Sequence, residues 1–155
     1  MTTRTSTPSP AVRLAVDDLA PHITKAMNAL DAASRRTSLE ASLLELVRAR
    51  ASQINGCAYC VDTHTRDARE AGEDERRLHL LPVWRDTALF SPRERAALDL
   101  TEAMTRLADR PVSDGTVEGA ADQFTDVELA ELMWTITVIN AWNRLGATAR
   151  PWPLP

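Results

Sequence analysis

The stretch Ile54-Asn55-Gly56-Cys57-Ala58-Tyr59-Cys60-Val61-Asp62-Thr63-His64 holds the end of one helix, a break and the start of another. Gly56 breaks the helix that reaches it. Cys57 opens the next, which the pattern carries to about Ala71, with Gly72 as its stop signal. Three residues separate Cys57 from Cys60, so both lie on one face of the first turn. His64 follows Cys60 by four and sits a turn further along that face. Glu45 lies twelve positions before Cys57, on the preceding helix. With the chain reversing at Gly56, it reaches towards the same pocket. Dithiol, imidazole and carboxylate are the parts of a thiol redox centre.

Outward from this stretch the chain reads as helix throughout. Leu19, Ile23, Met27 and Leu30 form a helical stripe over residues 17–33, interrupted near its start by Pro21. Ser38 is the expected cap of the helix ending at Gly56, and Leu39, Leu43, Leu46, Val47 and Ile54 mark its buried face. Short helical or turn segments are expected over 73–81 and 82–90. Ser91-Pro92-Arg93-Glu94 joins an N-cap, a first-turn proline and a capping-box glutamate. It opens a helix carrying Ala97, Leu100, Met104 and Leu107 to about residue 108. Ser113 or Asp114 caps a short helix over 114–123. Thr125-Asp126-Val127-Glu128 is a second capping box, opening a last helix with Leu129, Leu132, Met133, Ile136 and Ile139 inward. Trp134, Val138, Trp142 and Leu145 make its other faces apolar too, the mark of deep burial or a subunit interface. Alternating β-branched runs are missing. The reading is a single all-α domain over residues 11–150, with a disordered leader at 1–10 and a non-helical tail at 151–155.

Bulk properties narrow the function classes. A chain of 155 residues suffices for one domain with its own core. The net charge of −4 gives no electrostatic reason to expect nucleic acid or an anionic membrane as partner. No apolar run reaches bilayer-spanning length. The first ten residues are polar and rich in Thr, Ser and Pro, without a signal-peptide core, so a cytoplasmic location is expected. In that reducing compartment, the chain's two cysteines point to catalysis or metal binding rather than a permanent staple.

At a helix N-terminus, partial positive charge and unpaired N–H groups favour thiolate, the nucleophilic form of cysteine. His64 can take a proton from Cys60 or give one to a leaving oxygen. The implied reaction is thiolate attack on the O–O bond of a hydroperoxide. An alcohol leaves, Cys60 becomes a sulfenic acid, and Cys57 condenses with it to a disulfide that an external dithiol reduces. No cofactor or metal is required.

Glu45, Cys57-x-x-Cys60 and His64 together resemble the motif of the AhpD-like alkylhydroperoxidases of the carboxymuconolactone decarboxylase superfamily. The surroundings are similar as well: Leu46-Val47-Arg48, Ser52 to Cys60, His64 to Ala68, Phe90 to Leu98 and Ile139 to Leu145. The resemblance covers about residues 20 to 150. It implies an AhpD-like helical bundle, a homo-oligomer of trimers or hexamers, and peroxidase activity on small organic hydroperoxides. It also implies a dithiol reductant such as a lipoylated protein. Carried over by position, Cys60 is the sulfur oxidised to sulfenic acid, Cys57 the proton donor and resolving thiol, and His64 and Glu45 the proton relay. The helix dipole alone would instead favour Cys57, nearer the helix end, as the more acidic thiol. One departure is Tyr59, which stands where the peroxidase members carry a histidine. A phenol hydrogen-bonds but is a poor base near neutral pH. Tyr59 reads as a pocket wall or a hydrogen-bond donor.

Other readings of the same residues are a disulfide oxidoreductase or redox sensor with weak peroxidase activity, two unreactive buried thiols, and a zinc-stabilised helical module. In the last, Cys57, Cys60 and His64 would be joined by Glu45, His22 or His79. A second paired-ligand knuckle is missing from the chain. Asn140 and Asn143 are expected to bond loop backbone. Ser52 has no histidine and acid at a suggestive spacing.

Overall fold

The computed structural model describes residues 11–154, and among these the regular elements are all helical. The expected leader at residues 1–10 lies outside the described residues, as does Pro155. In chain order the helices are α1 (Val16–Leu19), α2 (Pro21–Ser34), α3 (Ala41–Asn55), α4 (Ala58–Glu70) and α5 (Glu75–Leu80). A 3₁₀ segment, Leu81–Asp86, precedes α6 (Pro92–Thr105), α7 (Asp114–Ala121) and α8 (Asp126–Ala149).

The fold is organised around α3, which packs against α4, α6 and α8. One side, with Leu43, Leu44 and Val47, meets Ala97, Leu100, Phe124, Leu132 and Ile136. The other, with Leu46 and Ala49, meets Ala68, Leu78, Leu81, Trp84, Phe90 and Leu98. A helix enclosed on both sides has no solvent face for its polar residues. Glu45, Arg48, Arg50 and Ser52 are therefore buried and must be paired within the protein. This forced pairing places the chemistry described below.

Both capping boxes form as the sequence spells them. Ser91 Oγ accepts from Glu94 N and Thr125 Oγ1 from Glu128 N, each with the reciprocal glutamate bond. Ser113 caps α7. Ser38 does not cap α3: its N–H and hydroxyl both donate to Glu131 Oε2 on α8, at 3.0 and 2.6 Å, and the N-cap position falls to Glu40. A carboxylate from a neighbouring helix outcompetes the local backbone here. Helix α6 ends at Thr105, three residues short of expectation, and leaves Leu107 exposed. Pro21 separates α1 from α2, and the expected stripe across the two is not core: Leu19 of α1 and Ile23 and Leu30 of α2 are exposed. In α8, Val138 is buried while Trp134 is exposed.

Candidate functional site

The site begins with the turn between α3 and α4. Gly56 has φ +68°, the left-handed conformation glycine adopts readily, and its N–H donates to Ser52 O. Cys57 N donates to the same carbonyl at 3.2 Å. Cys57 is the N-cap of α4, its sulfur accepting from Cys60 N at 3.3 Å. The end of α3 is fastened to α8 by amide side chains. Asn55 Nδ2 donates to the Oδ1 atoms of Asn140 and Asn143, each at 3.0 Å, and Asn143 Nδ2 donates to Ser52 Oγ at 2.9 Å. These asparagines thus bond side chains and, for Asn140, the Ile136 carbonyl of its own helix, where the sequence led us to expect loop backbone.

Cys57 and Cys60 are bonded as a disulfide, with Cα atoms 5.3 Å apart. Both are buried, but they face different surroundings. Cys60 lines a cavity of about 290 Å³, together with His64, Thr63, Tyr59, Arg35 and Trp152 among others. Cys57 lies against α8 at Gly146, where an added Cβ would stand 2.5 Å from Cys57 Sγ and 3.3 Å from Cys60 Sγ. Glycine at that helical position is what lets α8 approach the sulfurs so closely. The sequence hint was a glycine inside an otherwise apolar helix.

Behind the cavity lies a buried charged chain. His64 Nδ1 is 2.8 Å from Glu45 Oε2, and Arg48 Nη1 donates to Glu45 Oε1 at 2.7 Å. Arg35 adds a contact to Glu45 Oε1 at 3.5 Å. Burial pushes the Glu45 carboxyl up, but the His64 hydrogen bond and the Arg48 charge outweigh it and hold Glu45 below the usual carboxylate range. An ionised carboxylate only accepts, so Nδ1 carries hydrogen and Nε2 is the nitrogen left for chemistry. Burial lowers the Arg48 guanidinium from its ordinary value, with Glu45 opposing the shift. Arg48 was missed as a site residue in the sequence, although it stands three residues from Glu45 on the same helix.

Also missed was the tail. Arg150 adopts φ +47° at the end of α8 and turns the chain back. Trp152 then covers the site: its Nε1 donates to Asp17 Oδ2 at 2.7 Å, and its ring lies 5.2 Å from Tyr59 and 5.6 Å from Trp142, centroid to centroid. Tyr59, 39% exposed, is a wall of the cavity. Tyr59 and Trp152 also line a second cavity of about 300 Å³, formed with Gly56, Gly146 and Pro153.

The metal alternative fares poorly in this geometry. His22 is exposed on α2, and His79 is exposed beside Glu75. Among the described residues, the ligand-type group that assembles is Glu45, His64 and Asp67, within 4.8 Å, and Arg48 already supplies positive charge to Glu45.

An all-helical bundle with a Cys-x-x-Cys pair at a helix start, backed by histidine and glutamate, defines an AhpD-like protein. The family model described as the carboxymuconolactone decarboxylase family matches residues 21–103, and the chain belongs to that family. It is 35% identical over 134 residues to the uncharacterised protein YdfG of Bacillus subtilis, covering 86% of this chain and 91% of YdfG. Among solved structures it is similar to a protein of unknown function from Agrobacterium tumefaciens, a candidate antioxidant defence protein AhpD. There the TM-score is 0.88 with 33% identity, over 92% of this chain and 97% of that one. An uncharacterised peroxidase-related protein from Ralstonia eutropha, described as an alkylhydroperoxidase AhpD core, shares the fold at a TM-score of 0.78 and 22% identity. That match covers 90% of this chain and 74% of the other.

Proposed function

We propose that this protein is a thiol-dependent peroxidase that reduces small organic hydroperoxides through the Cys57/Cys60 pair. The observation that carries the reading is that Cys60 and His64 line one cavity while His64 is held from behind by buried, ionised Glu45. In the reduced protein the Cys60 thiolate attacks the outer peroxide oxygen. An S–O bond forms and the O–O bond breaks; sulfur loses two electrons and the peroxide gains them. His64 Nε2, which took its proton from the Cys60 thiol to make the thiolate, delivers that proton to the departing oxygen, which leaves as an alcohol, and Glu45 offsets the charge changes on the imidazole. The Cys57 thiol then attacks the sulfenic acid, water leaves, and the disulfide of this structure results. An external dithiol, such as that of a lipoylated protein, restores both thiols through a mixed disulfide. Tyr59 serves as a cavity wall.

The same reading makes the protein a cytoplasmic homo-oligomer, a trimer or hexamer, since dithiol recycling needs a reducing compartment. No helix among the described residues is long and apolar enough to cross a membrane. The exposed apolar side chains of Leu19, Ile23 and Trp134 supply surface for subunit contacts.

Stopped-flow mixing of the reduced protein with cumene hydroperoxide, beside mixing of the oxidised protein with dihydrolipoamide, tests the activity. Peroxide reduction at least about a hundredfold faster than by free cysteine is expected if general acid–base catalysis operates. Fast exchange with dihydrolipoamide and no enhancement with peroxide would make the protein a disulfide oxidoreductase instead.

A further inference from the structure

Reduction of the Cys57–Cys60 disulfide must begin at one of its two sulfurs, and their surroundings differ. Cys60 lines the cavity of about 290 Å³. Cys57 is 1% exposed and backed by α8: a Cβ added at Gly146 would stand 2.5 Å from Cys57 Sγ, and the Trp152 ring lies 3.5 Å from that same point. The turn that carries Cys57 is also tied down, with Gly56 N and Cys57 N both donating to Ser52 O and Asn143 Nδ2 donating to Ser52 Oγ. A thiolate must reach the sulfur it attacks, so access favours Cys60. The other sulfur must leave as a thiolate. Cys57 is the N-cap of α4, and its sulfur already accepts the Cys60 N–H at 3.3 Å. A backbone donor and the positive end of a helix both stabilise negative charge on that sulfur, and a stabilised thiolate leaves faster.

We infer that the external dithiol attacks Cys60 Sγ through the cavity and that Cys57 is the leaving thiolate. The inference deepens the recycling step and rests on the proposed redox role of the pair. In the first exchange an S–S bond forms between the reductant and Cys60, the Cys57–Cys60 bond breaks, and its electron pair stays on Cys57. The reductant's second thiolate then attacks the reductant sulfur of the mixed disulfide. That S–S bond breaks, Cys60 leaves as a thiolate, and the reductant closes to a disulfide. The reductant loses two electrons and the protein gains them, while the two thiol protons end on Cys57 and Cys60. The two sources of activation thus serve different sulfurs in different half-reactions. His64 and Glu45 act on Cys60 when peroxide is the partner, and the helix end acts on Cys57 when a dithiol is.

The test uses the unmodified oxidised protein and a monothiol, 2-mercaptoethanol, which cannot close a ring and so leaves the first mixed disulfide in place for capture. The mixture is quenched at successive early times with excess N-ethylmaleimide in mildly acidic denaturant, which blocks the freed cysteine before it can re-form the disulfide. Chymotryptic cleavage after Tyr59 separates the two cysteines, and each peptide is weighed without reduction. The earliest product should carry mercaptoethanol on Cys60 and maleimide on Cys57. The same protein unfolded in denaturant before the thiol is added should lose this preference, because cavity and helix end are gone. Mercaptoethanol on Cys57 with maleimide on Cys60 would overturn the assignment, and so would an even split in the folded protein or the same preference in the unfolded one. A folded disulfide that neither 2-mercaptoethanol nor dihydrolipoamide opens would instead remove the recycling reading, and this inference with it.

Discussion

Two buried glutamates make the informative contrast in this molecule. Glu45 on α3 and Glu102 on α6 are exposed to only 6% and 5%, and both are held below the usual carboxylate range against the upward push of burial. Glu102 is fixed by Arg50 Nε at 2.9 Å, Trp84 Nε1 at 2.9 Å and Arg85. Each of these donors keeps its hydrogens at any physiological pH, so the cluster is a closed knot that ties α3, the 3₁₀ segment and α6 together. Glu45 has an arginine too, but its other oxygen meets a histidine beside a sulfur at a cavity. A depressed carboxylate alone is thus no sign of function. What separates the two is a partner whose protonation can change and space for a ligand next to it.

The contrast is broken most severely at the sulfurs. Cys60→Ser should abolish peroxide-dependent oxidation of dithiols, read as loss of turnover with cumene hydroperoxide. Next, Glu45→Gln and Glu102→Gln should part company. Removing the Glu45 charge should slow the reduced protein's reaction with peroxide by about a hundredfold, the scale of general acid–base assistance, and alter its pH profile. Glu102→Gln should leave that rate unchanged and lower unfolding free energy by about 3 kcal/mol, because it strands buried cations. Equal rate losses in both variants would erase the distinction. Gly146→Ala should cost about 1–3 kcal/mol by overpacking against the sulfurs, measured as urea-unfolding stability of the oxidised protein.

A smaller effect concerns pH. Folding lowers the Glu45 and Glu102 values, so their stabilisation is present above the unfolded carboxylate range, near about 4.3, and fades as pH falls through the lower folded values. Each glutamine variant should therefore show a shallower acid loss of stability than the parent. Trp152→Phe should have the smallest effect: it removes the bond to Asp17, keeps the ring contacts, and should change the peroxide rate by no more than about threefold.

Much of this was readable in the chain because it depends on local chemistry. Glycine, capping boxes and the spacing of Cys57, Cys60 and His64 act within a few residues, and the helices form around them. Glu45 was legible through its place in a familiar motif. Arg48, Asn143, Gly146 and Trp152 were not read as site residues, since their roles depend on which helices meet. Ser38 failed as a cap because Glu131, distant in sequence, arrives beside it. The stripe of α2 has sound helical spacing yet stays exposed, since spacing reports that a face is apolar and not what covers it.

Trapping the oxidised sulfur tests the account at its centre. Reduced Cys57→Ser protein, treated with one equivalent of cumene hydroperoxide and then dimedone, should carry the adduct on Cys60 when its peptides are weighed. Absence of that adduct, together with an adduct on Cys57 in the Cys60→Ser protein, would contradict it.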